Sequence, residues 1–248
     1  MAHDGETDRP AADGHARHDD LAVTLTELAR TLREEPGVQE TLDGIVAAAV
    51  DTVPGTRYAG LMVVEGRRHV DTRAVTAEVV RLVDQAQYDV GEGPCLDCLD
   101  AVHERRTVRL PDMTAERRWP LFARRAIELR IMSMLSFQLY VRRDILGALN
   151  LYSREVGAFD DESEHVGLLF AAHAAVAMSG AQHEEHLVRA VAMRDLIGQA
   201  KGILMERHRV TAEQAFALLV RASQQTNTRL ADIAQHLVDT GELSRRRP

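Results

Sequence analysis

The sequence contains only two cysteines and one lysine, and it has no long hydrophobic run. Cys95 and Cys98 are too few for a disulfide framework, which excludes the class of small disulfide-rich secreted domains. No stretch approaches the roughly 20 consecutive apolar residues that span a bilayer. The first 20 residues are acidic and rich in histidine and lack an apolar signal core. We therefore expect a cytoplasmic protein with no membrane partner.

The motifs of common enzyme classes are missing as well. The chain has no P-loop, no kinase-type glycine loop with its partner motifs, no nucleophile elbow and no H-E-x-x-H, since residues 183–186 read H-E-E-H. We therefore expect that the protein is not an enzyme. No metal or nucleotide motif is visible, so any cofactor stays unknown beyond a possible small-molecule ligand.

The two cysteines have the C-x-x-C spacing of redox and metal sites. A zinc site needs four ligands and the sequence offers no second pair, so we expect no metal. A redox role requires a thiolate, which the neighbouring Glu92 and Asp97 disfavour. A redox function of Cys95 and Cys98 is therefore left open beside the simpler interpretation that they are buried or incidental.

Length and charge distribution predict two domains. The 248 residues, 45% of them hydrophobic, suffice for a medium domain followed by a small one. The net charge is −8, yet residues 186–248 contain ten Arg or Lys against six Asp or Glu. A basic segment that follows an acidic body indicates contact with nucleic acid through the C-terminal part.

Composition and periodicity predict the domain boundaries. Residues 1–19 have hardly any large apolar side chains and are predicted to be a disordered tail. The first domain is predicted at 20–181, a helical domain at 182–243 and a basic tail at 244–248. Leucines at three- and four-residue spacing from Leu21 to Leu32 predict a helix, and a second helix follows at 38–53.

Residues 57–152 alternate between strand and helix patterns. Strands are predicted at 57–64, 67–75 and 107–110, and a central hairpin is predicted from 131–141 and 145–152. Helical patterns cover 76–87 and 119–129, and a long one begins at Asp160 and continues towards Arg207. This order predicts an α+β domain with an antiparallel sheet flanked by helices.

The last segment is helical throughout. Thr211 and Gln214 fit a T-x-x-Q capping box, Asn227 and Thr228 mark the start of another helix, and Gly241 ends it. Around the helix that contains residues 189–208, an apolar face is predicted for Met193, Leu196, Ala200, Ile203 and Leu204. Three short helices, each with an apolar face, predict a small three-helix bundle.

The order of elements, with G-E-G-P-C at 91–95, L-G-A-L-N-L-Y at 146–152 and A-F at 158–159, resembles a GAF domain. The resemblance implies an antiparallel sheet, a pocket for a small ligand, and a homodimer formed through terminal helices. A pocket of this kind is expected to be lined by apolar and aromatic side chains, with six candidates: Tyr58, Met62, Trp119, Phe122, Phe137 and Tyr140. They are also plausible as plain core.

Residues 187–241, with I-G-Q-A-K-G-I-L-M at 197–205 and A-F-x-L-L at 215–219, resemble an ANTAR domain. The resemblance implies binding to paired RNA stem-loops that control transcription termination. Arg194, Lys201 and His208 form a polar stripe away from the apolar face, where phosphates can be met. Gly198 and Gly202 leave a groove beside it. The full set of expected RNA-binding residues is Arg194, Gly198, Gln199, Lys201, Gly202, His208, Arg221, Asn227 and Arg229.

Two interpretations of the C-terminal domain remain open. The first is an RNA-binding antitermination regulator whose sensor domain responds to an unknown small molecule or protein. The alternative is a ligand-sensing protein-interaction module whose positive charge is incidental. Salt sensitivity separates them, because phosphate contacts weaken steeply with salt and apolar docking does not.

Overall fold

The computed structural model describes residues 11–65, 69–100, 107–142 and 144–243, and the chain divides into two units, Met1–Gln182 and His183–Pro248. The first unit contains α1 (Ala11–Glu34), α2 (Val38–Thr52), β1 (Tyr58–Glu65), β2 (His69–Val75), α3 (Glu78–Val90), α4 (Pro94–Asp100), β3 (Thr107–Leu110), α5 (Pro120–Glu128), β4 (Ser133–Val141) and β5 (Asp144–Ser153). Helix α6 (Asp161–His208) begins in the first unit and ends in the second, which continues with α7 (Ala212–Thr226) and α8 (Leu230–Thr240).

The first unit is built on one five-stranded sheet with strand order β2-β1-β5-β4-β3. Every neighbouring pair is antiparallel, and the predicted hairpin of β4 and β5 supplies the two strands at and beside the centre. Bulges interrupt the pairing between Leu61 and Met62 and between Leu139 and Tyr140. The predicted α+β fold with an antiparallel sheet is therefore confirmed.

The two faces of the sheet carry different cores. Because successive strand residues point to opposite faces, Leu135 and Phe137 of β4 lie on one face, and Met134 and Ser136 on the other. The first face packs with α1, α2 and the part of α6 that lies in the first unit into an apolar core. The second face meets α3, α4 and α5, and here polar side chains are buried among the apolar ones.

Helix α1 corrects the predicted extent of the disordered tail. It begins at Ala11, so the segment 11–19 is helical, whereas residues 1–10 lie outside the described residues. Alanines at positions 11, 12 and 16 favour helix. The low apolar content of this segment was therefore a poor guide, since a helix that is anchored by buried Leu25 and Leu32 further along can extend past its apolar stripe.

Helix α3 also extends further than the periodicity predicted. It begins at Glu78 and ends at Val90, three residues past the predicted end at residue 87. Gly91 ends the helix in the left-handed conformation, with φ +68°, and its N–H donates to Gln87 O. Gly91 is thus the residue that terminates the helix.

The second unit is the predicted three-helix bundle. Thr211 Oγ1 accepts from Gln214 N, and Gln214 Oε1 accepts from Thr211 N, which confirms the capping box. Asn227 ends α7 in the left-handed conformation with φ +51° and does not start α8 as predicted, because Arg229 is the N-terminal cap of that helix. Gly241 ends α8 with φ +74°. The buried core of the bundle consists of Ala200, Leu204, Ala215, Leu219, Ile233, Ala234 and Leu237.

Met193 does not belong to this core, contrary to the predicted apolar face of α6. Its side chain is exposed, whereas Leu196 and Ile203 are half-buried against the core and Ala200 and Leu204 are fully buried. The reason is length: α7 has 15 residues and α8 has 11, and the contacts of these helices with α6 begin at Leu196.

In the described parts of the chain, no helix is both long and apolar enough to cross a membrane.

Candidate RNA-binding surface and buried sensor cluster

The second unit carries a stripe of cations on α6, made of Arg194, Lys201 and His208. At 100° per residue, a spacing of seven turns the helix by only 20°, so the three side chains point in nearly the same direction. Arg194 and His208 are exposed and Lys201 is half-buried. We call these three residues the basic stripe.

The described arginines and the lysine of the second unit fall into two groups. Arg189 pairs with Glu185 at 2.6 Å, and Arg207 donates to the carbonyl of Gly241, so both have intramolecular roles. Within the described residues, no hydrogen bond or ion pair holds Arg194, Lys201, Arg209, Arg221 or Arg229. These cations are available to a partner, and phosphate groups are the partner that a set of free cations fits.

Gly198 and Gly202 lie next to the basic stripe on open surface. A Cβ placed on either residue would meet no atom within 4 Å, so neither glycine is required by packing inside the second unit. Glycine within a helix costs roughly 1 kcal/mol relative to alanine. The two glycines therefore leave open space beside the basic stripe.

The remaining expected RNA-binding residues are exposed but do not share the stripe. Gln199 lies about 160° around α6 from Lys201, because the two are two residues apart. Arg221 lies on α7, Asn227 ends α7, and Arg229 occupies the N-terminal cap position of α8. All four are exposed.

Arg209 is a further candidate RNA-binding residue, outside the set predicted from the sequence. It is exposed, follows α6 directly and has a positive φ of 54°, which is uncommon for a residue with a side chain. Its position next to His208, at the end of the basic stripe, is the feature of the sequence that indicates it as a candidate.

Leu187 and Val191 also lie exposed on α6, four residues apart, at 55% and 61% exposure.

The first unit contains a buried polar cluster between the second face of the sheet and helices α3 and α4. Its centre is Asp84, whose Oδ2 accepts from Thr72 at 2.9 Å and whose Oδ1 accepts from Tyr152 and, at 3.4 Å, from Asn150. Ser136 is paired with Asn150 in the sheet. We call this group the Asp84 cluster: Thr72, Asp84, Gln87, Ser136, Asn150 and Tyr152.

Sulfur atoms join Gln87 to the rest of the cluster. Asn150 Nδ2 donates to Met62 Sδ at 3.0 Å, and Cys95 Sγ lies 2.7 Å from the same sulfur. The backbone N–H of Cys95 in turn donates to Gln87 Oε1 at 3.0 Å. Helices α3 and α4 are thus tied to the central strands through one continuous set of contacts.

Burial raises the pKa of Asp84 to about 6, although the hydrogen bonds from Tyr152, Thr72 and Asn150 and the charge of Arg81 act in the opposite direction. Burial and the Asp84 charge likewise raise the pKa of Tyr152. Desolvation dominates because no basic side chain of the described chain lies within ion-pair distance of Asp84. The sequence signal for this cluster was the presence of Asp84 and Gln87 on the buried face of α3.

Three atoms of the Asp84 cluster have no hydrogen-bond partner: Gln87 Nε2, Ser136 Oγ and Asn150 Oδ1. All three residues are fully buried. A buried polar atom without a partner costs about 1–3 kcal/mol, so three in one place require an explanation.

The six predicted pocket residues do not form one site. Phe137 packs in the core on the first face of the sheet, so it cannot line a pocket together with Met62, which lies on the second face. Side chains alternate between the two faces along β4, and this alternation places Phe137 on the first face. Trp119 and Phe122 are core residues around α5, with Trp119 Nε1 donating to Asp97 Oδ2. Of the six, Met62 accepts a hydrogen bond from Asn150 of the Asp84 cluster, whereas Trp119, Phe122 and Tyr58 pack in the apolar cluster that also contains Tyr152.

Tyr58 and Tyr140, the other two predicted pocket residues, lie near the ends of their strands. The guanidinium groups of Arg57 and Arg154 lie 5.6 Å and 5.5 Å from the ring centre of Tyr58, in the range of a cation–π contact. Tyr140 is half-buried and pairs with Ile145 close to the β4–β5 turn. Neither position indicates a pocket wall.

The two cysteines share α4, but only one can be described in full. Cys95 is completely buried, and the side chain of Cys98 lies outside the described residues. Burial in apolar surroundings makes a thiol unreactive, so the structure adds no support to a redox role. Among the described residues, no group of three or more His, Cys, Asp or Glu side chains is arranged to hold a metal ion.

Solved structures show what the first unit is similar to. The GAF domain of a phosphoenolpyruvate-protein phosphotransferase from Coxiella burnetii is 16% identical, covers 67% of this chain and 96% of its own, and has a TM-score of 0.50. The corresponding domain from Acinetobacter is 13% identical, covers 67% and 97%, and also has a TM-score of 0.50. The Stigmatella aurantiaca phytochrome photosensory core module reaches a TM-score of 0.57 at 10% identity, covering 88% of this chain and 46% of its own. Identities this low show the fold alone.

Family models match both units, whereas a search of curated proteins finds no match. The model of the GAF domain matches residues 35–179, and that of the ANTAR domain matches residues 185–238. GAF domains sense ligands, and ANTAR domains bind RNA in transcription antitermination; both are sensory and regulatory domains. The chain therefore belongs to the GAF domain family and carries a C-terminal ANTAR domain, the arrangement of a GAF and ANTAR regulator.

Proposed function

We propose that this chain is a signal-responsive transcription antitermination regulator that binds paired RNA stem-loops as a homodimer. The first unit senses a small molecule or a partner protein, and the second unit captures RNA through the basic stripe. The observation that carries the proposal is the set of free cations on the second unit; among its described arginines, only Arg189 and Arg207 have intramolecular partners.

Exposed apolar side chains support the dimer. Leu187, Val188 and Val191 are each more than half exposed on α6. Large aliphatic side chains clustered on an exposed helix face are typical of an interface. Two copies that pair here would bring two RNA-binding units together, which suits a target with two stem-loops.

A protein-docking function is the second candidate, and the same apolar side chains favour it. Salt dependence distinguishes the two, since RNA affinity that depends on phosphate contacts falls linearly on a log–log scale with salt. Docking of an apolar face would change little over the same range.

The test is binding of the full chain to an RNA with two closely spaced hairpins, across a salt series, for wild type and Lys201→Ala. We expect Lys201→Ala to weaken binding about tenfold, as loss of a charged hydrogen bond predicts. The log–log salt slope should also decrease by about 0.7–0.9, the contribution of one phosphate contact.

Arg189→Ala is the matched control. It removes one positive charge from the same helix, but from a residue that is paired with Glu185 and lies about 120° around the helix from Lys201. We expect it to leave the RNA affinity within twofold of wild type. Equal losses for both variants would indicate general charge attraction, and no RNA binding by wild type with or without cell extract would favour protein docking.

A further inference from the structure

The Asp84 cluster has two features that a purely structural network would not combine. Its carboxyl is fully buried without a cationic partner, and three further polar atoms around it have no hydrogen bond. Networks that only stabilise a core are normally satisfied completely, because each open donor or acceptor weakens them. The cluster therefore has unused hydrogen-bonding capacity on one side of the sheet.

The orientation of the Asn150 amide is fixed by its neighbours. Its Nδ2 donates to Asp84 Oδ1 and to Met62 Sδ, and the opposite orientation would place two oxygens against each other. Asn150 Oδ1 is therefore an acceptor without a donor. Gln87 is fixed in the same manner, since its Oε1 accepts from the N–H of Cys95 and its Nε2 remains an open donor.

The charged and titratable groups around Asp84 define which ligands fit. Arg81 on α3 donates to Thr72 O and pairs with Glu78; it makes no ion pair with Asp84, and its charge has the smallest of the effects on the pKa of that carboxyl. The remaining titratable neighbours are Tyr152 on β5, Tyr88 on α3 and Cys95 on α4, all of which are neutral or negative. With a carboxyl at its centre and no free cation, the cluster repels anions.

We propose that the Asp84 cluster is the sensor site of the first unit and that it takes a small organic cation with N–H donors, an amine or amidine. This inference rests on the sensor half of the proposed function and is independent of the RNA-binding half. One N–H of the ligand donates to the Asp84 carboxylate and another to Asn150 Oδ1, and the positive charge compensates the buried negative one. Ser136 Oγ and Gln87 Nε2 complete the polar lining.

The burial of the site links binding to the position of two helices. Asp84 and Gln87 belong to α3 and Cys95 belongs to α4, and the side chains of all three are completely buried against the sheet. A ligand reaches Asp84 only when α3 or α4 moves away from the central strands. Occupancy of the site is thereby converted into a change in helix packing, which is what a sensor requires.

The experiment measures the thermal stability and the binding heat of the full chain with methylammonium and methylguanidinium chloride, with acetamide and sodium acetate as neutral and anionic probes. At pH 7.5 we expect saturable binding of a cation and a rise in Tm of at least about 2 °C at saturation. Affinity should fall about tenfold per pH unit below pH 6, where Asp84 becomes protonated. Neither the neutral nor the anionic probe should stabilise the protein.

Three variants separate the site from general effects. Asp84→Asn should weaken cation binding at least tenfold, and Ser136→Ala, which removes an open hydroxyl and retains the buried charge, should weaken it several-fold with the fold intact. Asp89→Asn is the matched control, because it removes the same charge from the exposed side of α3 and should have no effect. Equal binding to wild type and Asp84→Asn, stabilisation by acetamide or acetate, or no binding of either cation would overturn the proposal. A failure of RNA binding would leave these results unchanged.

Discussion

At the level of single residues, Asp84 gives the clearest prediction of how folding stability depends on pH. Its pKa in the folded protein is raised to about 6 from an ordinary 3.8, so between those values the folded state holds a proton that the unfolded state has lost. The Asp84 contribution therefore favours folding at low pH and is lost as the pH rises from about 4 to 6. The total change is on the order of 3 kcal/mol.

The prediction concerns the difference between wild type and Asp84→Asn, which cancels the other carboxyls of the chain. We expect the free energy of unfolding of the variant, relative to wild type, to increase by on the order of 3 kcal/mol between pH 4 and pH 7. Urea unfolding of the full chain at several pH values measures it. A constant difference across this range would show that Asp84 titrates normally.

The sequence was least informative about buried polar residues such as Asp84. The basic stripe could be predicted, because α-helical periodicity alone determines which residues of one helix share a direction. The Asp84 cluster could not, since it joins residues from β2, α3, β4 and β5 whose proximity depends on strand order and register. For the same reason the predicted pocket placed Phe137 and Met62 together although they lie on opposite faces.

At the level of elements, the second unit was predictable because its signals are local. A capping box, a left-handed Asn227 and a terminal Gly241 define the ends of α7 and α8 within a few residues of sequence. Helix α1 was not, because its first nine residues lack apolar periodicity and are helical by continuity and alanine content. Met193 was misplaced for a related reason: the periodicity of α6 continues past the region that α7 and α8 cover.

Helix α6 permits a separation of stability from RNA binding. Gly202→Ala adds a methyl group in open space and should stabilise the second unit by about 0.5–1 kcal/mol through helix propensity. Where RNA approaches this surface, the same methyl group should weaken RNA affinity several-fold. Denaturant unfolding and RNA titration on the same preparations compare the two effects.

Gly180→Ala is the matched substitution, since Gly180 lies on α6 in the first unit and its Cβ position is also open. It should give a similar gain in stability with unchanged RNA affinity. If Gly202→Ala behaves in the same manner, the surface at Gly202 is not an RNA contact, and the basic stripe must be approached from another side of the helix.

At the level of the whole molecule, the proposed regulation depends on how many RNA-binding units are joined, and not on a new contact between protein and RNA. Each chain carries one RNA-binding unit, and joining two units converts the second binding event into an intramolecular one. Such linkage raises the affinity for a two-site target by about 10²- to 10⁴-fold when the geometry allows both sites to bind. A signal that shifts the monomer–dimer equilibrium would thus control RNA occupancy without altering the basic stripe.

The combined substitution Leu187→Glu and Val191→Glu tests this idea by placing charges on the exposed apolar part of α6. We expect a monomer in analytical ultracentrifugation, because four like charges would face each other in the dimer. Affinity for a single hairpin should stay within about threefold of wild type, since the basic stripe is retained, and affinity for the two-hairpin RNA should fall by the avidity factor of about 10² or more. A monomeric variant that binds the two-hairpin RNA as tightly as wild type would remove dimerisation from the mechanism, because each stem-loop would then be captured independently.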